Sequence, residues 1–187
     1  FDEVIQKAKS LLKKHSHEKK ILNGIPMLYN IISLAYQNKL DYKNSIKIMD
    51  EALKINPNNI FYLNNMGISQ HKNKDFFQAE KYFKRALEIN PNYINVLNNF
   101  ANLKKDLDKV DEAITYYEKA VNIDSNILIT NYNLSSMYIQ KGEYTKAINY
   151  LQKTLKINPK FTTADRALSL ITKYQKDSKH FQEMKEK

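Results

Sequence analysis

Apolar and small residues recur at spacings of three or four inside short segments of this chain, and the arrangement repeats every 34 residues. Spacings of three or four predict amphipathic helices, because such positions fall on one face of a helix. A period of 34 residues is typical of arrays in which each repeat is a pair of helices. The pattern predicts four full repeats, at 26–59, 60–93, 94–127 and 128–161.

Six columns of the repeat combine bulky and small side chains, as closely packed antiparallel helices require. Positions 7 and 24 are bulky: Ile32, Met66, Phe100 and Leu134, then Met49, Phe83, Tyr117 and Leu151. Positions 8, 20 and 27 are small or short: Ser33, Gly67, Ala101 and Ser135, then Ser45, Ala79, Ala113 and Ala147, then Ala52, Ala86, Ala120 and Thr154. Position 30 is always isoleucine: Ile55, Ile89, Ile123 and Ile157. We expect these columns to form the packed interior of an all-α solenoid.

Turn signals separate the predicted helices. Prolines that stop the second helix recur in three repeats: Pro57, Pro91 and Pro159. Ser125 stands at the matching position of the remaining repeat. Three aspartates precede second helices, where we expect them to cap exposed N–H groups: Asp41, Asp75 and Asp108. Position 11 is polar at Gln70 and Lys104, and position 15 is glycine only at Gly142, so we expect the two middle repeats to pack less regularly.

The two ends depart from the repeat. Residues 1–25 read as an N-terminal helix over 2–14 and a linker that holds Gly24. The apolar side of that helix is Val4, Ile5, Ala8, Leu11 and Leu12. Residues 162–187 read as a C-terminal capping helix or partial repeat, with four residues facing inward: Ala164, Ala167, Leu168 and Ile171.

The recurring columns resemble the tetratricopeptide repeat (TPR) family from residue 26 to about 176. That resemblance implies a right-handed superhelical solenoid of roughly ten or eleven helices. It also implies a concave groove lined by the first helix of each repeat, and a non-catalytic scaffold that binds a peptide or partner protein. Position 11 is tyrosine at Tyr36 and Tyr138 but polar at Gln70 and Lys104.

Asparagines concentrate at the groove positions that the resemblance assigns to the first helices. The candidate peptide-binding residues are Asn30, Asn64, Asn65, Asn98, Asn99, Asn102 and Asn133. They are similar to the asparagine ladder of O-linked N-acetylglucosamine transferases, which implies peptide-backbone contacts for Asn65, Asn99 and Asn133. An amide offers both a donor and an acceptor, so it can pair with a peptide bond in both directions. The alternative is structural asparagine that satisfies its own helices.

The other groove positions are mostly apolar, with some polarity from His71, Lys105 and Lys173. The apolar set is Met27, Leu34, Phe61, Ile68, Ile129 and Ile139. Such a surface favours a neutral peptide or helix. Chaperone-binding members of the family hold a C-terminal carboxylate with a clamp that includes cationic side chains. In the best alignment of this chain with the clamp, its positions are occupied by Asn98, Asn102, Asn133, Thr163 and Ala167, none of which is a cation. We therefore do not expect capture of a C-terminal carboxylate.

Charge and composition change this picture little. The formal net charge is +10, but only Arg85 and Arg166 are arginines and the lysines are dispersed. Nucleic acid is a weak alternative partner, because its binders cluster basic and stacking residues.

No apolar run approaches a membrane span and no secretory signal is visible, so we expect a cytoplasmic location. The chain opens at Phe1 without a methionine, which suggests a fragment or a processed product.

No residue constellation predicts catalysis, a cofactor or a metal site. His15 and His17 form a polar H-x-H pair that lacks further ligands, and cysteine is absent.

One alternative to a scaffold is a docking or spacer segment of a larger transferase. The tail from Leu168 to Met184, with Tyr174 and His180, loosely resembles the entry into sulfotransferase-like domains. A second alternative is self-association through the terminal repeats.

Overall fold

The computed structural model describes residues 1–15 and 25–172, and every element in those ranges is helical. Nine helices have both ends within them: α1 Asp2–His15, α2 Ile25–Asn38, α3 Tyr42–Ile55, α4 Ile60–Lys72, α5 Phe76–Ile89, α6 Ile94–Asp106, α7 Val110–Ile123, α8 Leu128–Gln140 and α9 Tyr144–Ile157. A tenth, α10, begins at 162 and continues to the last described residue. None of the described helices combines the length and apolarity needed to cross a membrane.

The helices pack in antiparallel pairs, because connections of only a few residues return each chain segment along its predecessor. α2 packs on α3, α4 on α5 and α8 on α9, and α3 also contacts α4. The chain forms two compact units: an N-terminal unit of residues 1–103 and a C-terminal unit that starts at Lys104. The boundary lies inside α6.

Five of the six predicted columns form the core. Every residue at positions 7, 8, 20, 24 and 27 of the four repeats is buried. The expectation was wrong for position 30, because all four isoleucines remain substantially exposed. Each of them is the last residue of its helix, where the chain is about to turn away.

Side-chain caps begin some second helices but not all. Asp41 Oδ1 accepts a hydrogen bond from the backbone N–H of Asn44, and Asp75 Oδ1 accepts one from that of Gln78. The predicted cap was wrong for Asp108. The residue that caps α7 is Lys109, which offers no side-chain acceptor, so Asp108 lies one residue too early.

The turn inside each repeat has the same backbone shape in all four repeats. Position 15 takes a positive φ throughout: 60° at Leu40, 68° at Lys74, 58° at Asp108 and 78° at Gly142. The next N–H reaches back five residues to a carbonyl at 2.9 Å, as from Asp41 to Tyr36. A helix that ends on a left-handed residue with this bond has a Schellman motif. The missing glycines therefore leave the turn geometry unchanged and place strain on three non-glycine residues.

The N-terminal helix packs on the first repeat. Ile5 and Ala8 are buried, whereas Val4 and Leu11 stay exposed. The predicted apolar side is therefore only partly covered among the described residues. Lys9 Nζ donates to the phenol oxygen of Tyr36 at 2.9 Å, which joins α1 to α2. Pro26 lies in the first turn of α2, where its missing N–H costs no helical hydrogen bond.

Candidate functional site

The candidate asparagines lie on first helices of the repeats. Asn30 is on α2, Asn64 and Asn65 are on α4, and Asn99 is on α6. All are half-buried, so each amide has access to solvent as well as to the neighbouring helix. Asn98, Asn102 and Asn133 are half-buried in the same way and have further polar interactions of their own.

Two hydrogen bonds link these asparagines between successive repeats of the N-terminal unit. Asn65 Nδ2 donates to Asn30 Oδ1 at 3.0 Å, and Asn99 Nδ2 donates to Asn64 Oδ1 at 3.0 Å. In each case position 6 of one repeat donates to position 5 of the repeat before it. The two bonds therefore form one recurring element that runs across α2, α4 and α6.

These bonds use part of the hydrogen-bonding capacity of the amides. An asparagine side chain carries two N–H donors and an oxygen with two lone pairs. Donation from Asn65 to Asn30 uses one N–H and one lone pair, which holds both amide planes at a fixed orientation. A held amide loses less rotamer entropy when a ligand arrives than a mobile one does. The pairs thus preorganise the surface.

The last asparagine of the predicted ladder has a different partner. Asn133 hydrogen-bonds the phenol of Tyr117, within the C-terminal unit. Tyr117 is fully buried, and that burial raises the pKa of its phenol above the usual range. Asn133 is therefore held by the core of its own unit.

Exposed apolar side chains flank the asparagines of the N-terminal unit. Met27 and Leu34 on α2 are 66% and 56% exposed, and Phe61 on α4 is 51% exposed. Met27 and Leu34 are seven residues apart, so they lie two turns apart on the helix face that also carries Asn30. The Phe61 ring meets Tyr93 edge-on with centroids 5.8 Å apart, which restricts its orientation. We call Asn30, Asn64, Asn65 and Asn99, with these three apolar residues, the amide surface.

A buried polar chain supports the amide surface from beneath. The hydroxyl oxygens of Ser33, Ser45 and Ser69 are joined by two hydrogen bonds of 2.8 Å, and all three residues are fully buried. Gln37 Nε2 donates to Ser69 Oγ at 2.9 Å and to the backbone oxygen of Asn65 at 3.3 Å. This network fixes the α4 backbone at Asn65. In the sequence, the only indication of it was the small side chains at positions 8 and 20.

Two polar side chains are buried: His71, which was expected to add polarity to the groove, and Lys104, the polar residue at position 11 of the third repeat. His71 packs against the ring of Phe76, with centroids 5.9 Å apart. Lys104 is almost fully buried and its ammonium lies 2.7 Å from Oε2 of Glu112. Hydrogen bonding from Lys104 lowers the pKa of Glu112, which Lys109 also approaches at 3.2 Å. Lys104 is therefore an internal ion-pair partner and offers no charge to a ligand.

The structure describes no group of three or more His, Asp or Glu side chains placed to hold a metal ion within residues 1–15 and 25–172. The segment with His17, and the tail with Tyr174 and His180, lie outside the described residues.

The chain matches two family models, each described as tetratricopeptide repeat. One matches residues 59–126 and 92–160, and the other matches residues 28–59. No curated protein matches the chain.

Solved structures similar to this chain share its fold. A crystal structure of MamA has 22% identity and a TM-score of 0.70, covering 77% of this chain and 84% of that one. MamA residues 41 to the end, from Desulfovibrio magneticus RS-1, have 20% identity and a TM-score of 0.71 over 86% and 93% of the two chains. YrrB, described as a TPR protein with an unusual peptide-binding site, has 21% identity and a TM-score of 0.68 over 88% and 85%. These similarities confirm the predicted fold class, an all-α solenoid of helix pairs.

Proposed function

Because the chain belongs to the tetratricopeptide repeat family, we propose that it is a non-catalytic scaffold that binds an extended segment of a partner protein on the amide surface. The observation that carries this proposal is the recurring asparagine pair, seen between Asn30 and Asn65 and between Asn64 and Asn99. A peptide-binding site in YrrB, which has the same fold, is consistent with such a role. We expect the interaction to take place in the cytoplasm.

The chemistry of the amide surface suits a neutral peptide. The remaining N–H of Asn65 and of Asn99 can donate to peptide carbonyls, and their oxygens can accept from peptide N–H groups. Such bonds go to the peptide backbone and so do not select a sequence. Selection comes from Met27, Leu34 and Phe61, which offer apolar contacts to alternate side chains of an extended ligand. We therefore expect ligands with apolar residues at alternating positions and little dependence of affinity on salt.

Selection of peptides followed by mutation tests this function. Random twelve-residue peptides displayed on phage are panned against the chain, and enriched peptides are labelled for fluorescence anisotropy. We expect the double variant Asn65→Ala and Asn99→Ala to weaken binding at least tenfold. Loss of two net hydrogen bonds to the peptide, each contributing about 0.5–1.5 kcal/mol, predicts an effect of this size.

The control for that variant uses asparagines on second helices. Asn122 on α7 and Asn149 on α9 are exposed and far in sequence from the amide surface. The double variant Asn122→Ala and Asn149→Ala should bind enriched peptides as the parent chain does. If no peptide is enriched, or if the variant Asn65→Ala with Asn99→Ala keeps both its fold and its affinity, the amide surface is not the binding site.

A further inference from the structure

An arginine clamps the loop before the second predicted repeat. Arg85 Nη2 on α5 donates to the backbone oxygen of Pro57 at 2.7 Å and to Oδ1 of Asn58 at 3.1 Å. The guanidinium thereby bridges the loop and the last turns of α5 inside the N-terminal unit.

The matching residues of the C-terminal unit do not form this clamp. Repeat register places Lys153 at the position of Arg85, and Ser125 and Asn126 at those of Pro57 and Asn58. Lys153 Nζ instead lies over the ring of Tyr150, 4.7 Å from its centroid. A groove of about 490 Å³ that is open to solvent separates helix and loop here. We call it the loop pocket; its lining residues are Ser125, Asn126, Lys153, Lys156 and Ile157.

A buried amide fixes the wall of the loop pocket, although the loop lacks proline. Asn131 Nδ2 donates to the backbone oxygens of Ser125 and Ile127, both at 2.9 Å, and Asn131 is fully buried. The backbone N–H of Asn126 donates to Oδ1 of Asp124 at 2.9 Å. These bonds hold the loop in one shape, so the pocket does not depend on the clamp to persist.

The polar groups of the loop pocket favour an anion. Lys153 and Lys156 both line the pocket from α9, and the contact that Lys153 Nζ makes is with the neutral ring of Tyr150. Ser125 offers a hydroxyl and Asn126 an amide on the other side, while the carboxylate of Asp124 already accepts one hydrogen bond. Lysines bind phosphate as point charges, and the remaining lining is apolar at Ile157.

We propose that the loop pocket binds a phosphate monoester that carries a small apolar group. The phosphate meets Lys153, Lys156 and the Ser125 hydroxyl, and the apolar group contacts Ile157. Pockets of about 300–1,000 Å³ are the usual size for small ligands, and a bare phosphate would leave most of this one unfilled. This site is separate from the amide surface and does not depend on the function proposed for it.

Chemical-shift titration at constant ionic strength tests the proposal. Labelled chain is titrated with phenyl phosphate, and separately with inorganic phosphate and with phenol. We expect phenyl phosphate to shift the amide signals of Ser125, Asn126, Lys153 and Ile157 saturably. It should bind at least threefold more tightly than inorganic phosphate, and phenol should cause no saturable shift. Equal affinity for the two phosphates would overturn the apolar part of the proposal.

Two variants separate the pocket from general attraction to positive charge. Ser125→Pro with Lys153→Arg recreates the clamp of Arg85 and keeps the charge, so it should close the pocket and weaken binding at least tenfold. Lys43→Gln with Lys47→Gln removes two exposed charges from α3 and should leave binding unchanged. Undiminished binding by the clamped variant would overturn the proposal, and so would an equal loss in the α3 variant.

Discussion

The ammonium of Lys104 lies 2.7 Å from a carboxylate oxygen of Glu112, and the two side chains differ widely in exposure, at 2% and 47%. The lysine stands at position 11, where Tyr36 and Tyr138 occupy the first and fourth repeats. A buried ammonium without a partner is costly, because it gives up its hydration. Glu112 therefore contributes to the stability of this buried ammonium.

Removing the carboxylate should destabilise the chain more than removing the lysine. Glu112→Gln leaves a buried ammonium with a weaker partner, and we expect a loss of about 1–2 kcal/mol. That is less than for a fully buried pair, because Glu112 is half exposed. Lys104→Met replaces the pair with apolar packing and should be neutral or stabilising. Urea unfolding measures both, with Lys109→Gln as the control that removes only the exposed neighbour.

The contribution of Glu112 should also depend on pH. Its pKa in the folded chain is lowered from the ordinary value of 4.5, chiefly by hydrogen bonding from Lys104. A lowered folded pKa means that the stabilisation is complete above about pH 4.5 and is lost as pH falls through the folded value. The difference in melting temperature between the parent chain and Glu112→Gln should shrink steadily below that pH. A difference that stays constant down to pH 3 would contradict this assignment.

At the left-handed turn positions, replacing glycine should destabilise the chain, and introducing glycine should stabilise it. A Cβ added at Gly142 would meet no other atom, so Gly142→Ala should cost only the strain of a left-handed backbone, about 1 kcal/mol of stability. Leu40→Gly relieves the same strain and should stabilise the chain by about 0.5 kcal/mol after the entropy of the unfolded glycine is counted. Asp108→Gly should gain less, because aspartate tolerates this conformation and Asp108 accepts a hydrogen bond from Gln140. Thermal unfolding of the three variants gives the ranking.

Gly67 and Phe83 should be strongly coupled. A Cβ at Gly67 would lie 2.5 Å from the Phe83 ring, and Phe83 is fully buried. Gly67→Ala should therefore destabilise by about 1–3 kcal/mol through overpacking. Phe83→Leu makes room, as at Leu151 in the fourth repeat, so the double variant should be more stable than the sum of the single effects predicts. Additive losses would show that the neighbouring core absorbs the methyl group without help from Phe83.

The 34-residue periodicity was sufficient to predict which side chains form the core, but it did not predict the exposed isoleucines or the position of the helix cap. Small and bulky columns predict contact because helical spacing alone decides which side chains face a neighbour. The same spacing placed the isoleucines of position 30 inside, although the last residue of a helix has little around it. Asp108 was misassigned by one residue, since a cap depends on where the helix begins and not on residue type alone.

Polar interiors were the part that the sequence could not supply. In the sequence Lys104 was only a polar exception at position 11, because nothing in that column shows that Glu112, eight residues later, lies within reach of its ammonium. The pairing of Asn30 with Asn65 needs the three-dimensional register of two repeats. Adjacent asparagines at Asn64 and Asn65, repeated at Asn98 and Asn99, were the available signal, and they indicated the residues without the bond.

The paired asparagines also bear on how such an array can lengthen during evolution. A repeat that has asparagine at both positions 5 and 6, as at Asn64 and Asn65, donates to the repeat before it and accepts from the repeat after it. When a gene segment coding for such a repeat is duplicated in tandem, the new copy arrives with a donor and an acceptor already matched to its neighbours. The array can then lengthen by duplication without compensating substitutions where two repeats meet. Each added copy extends the same row of amides.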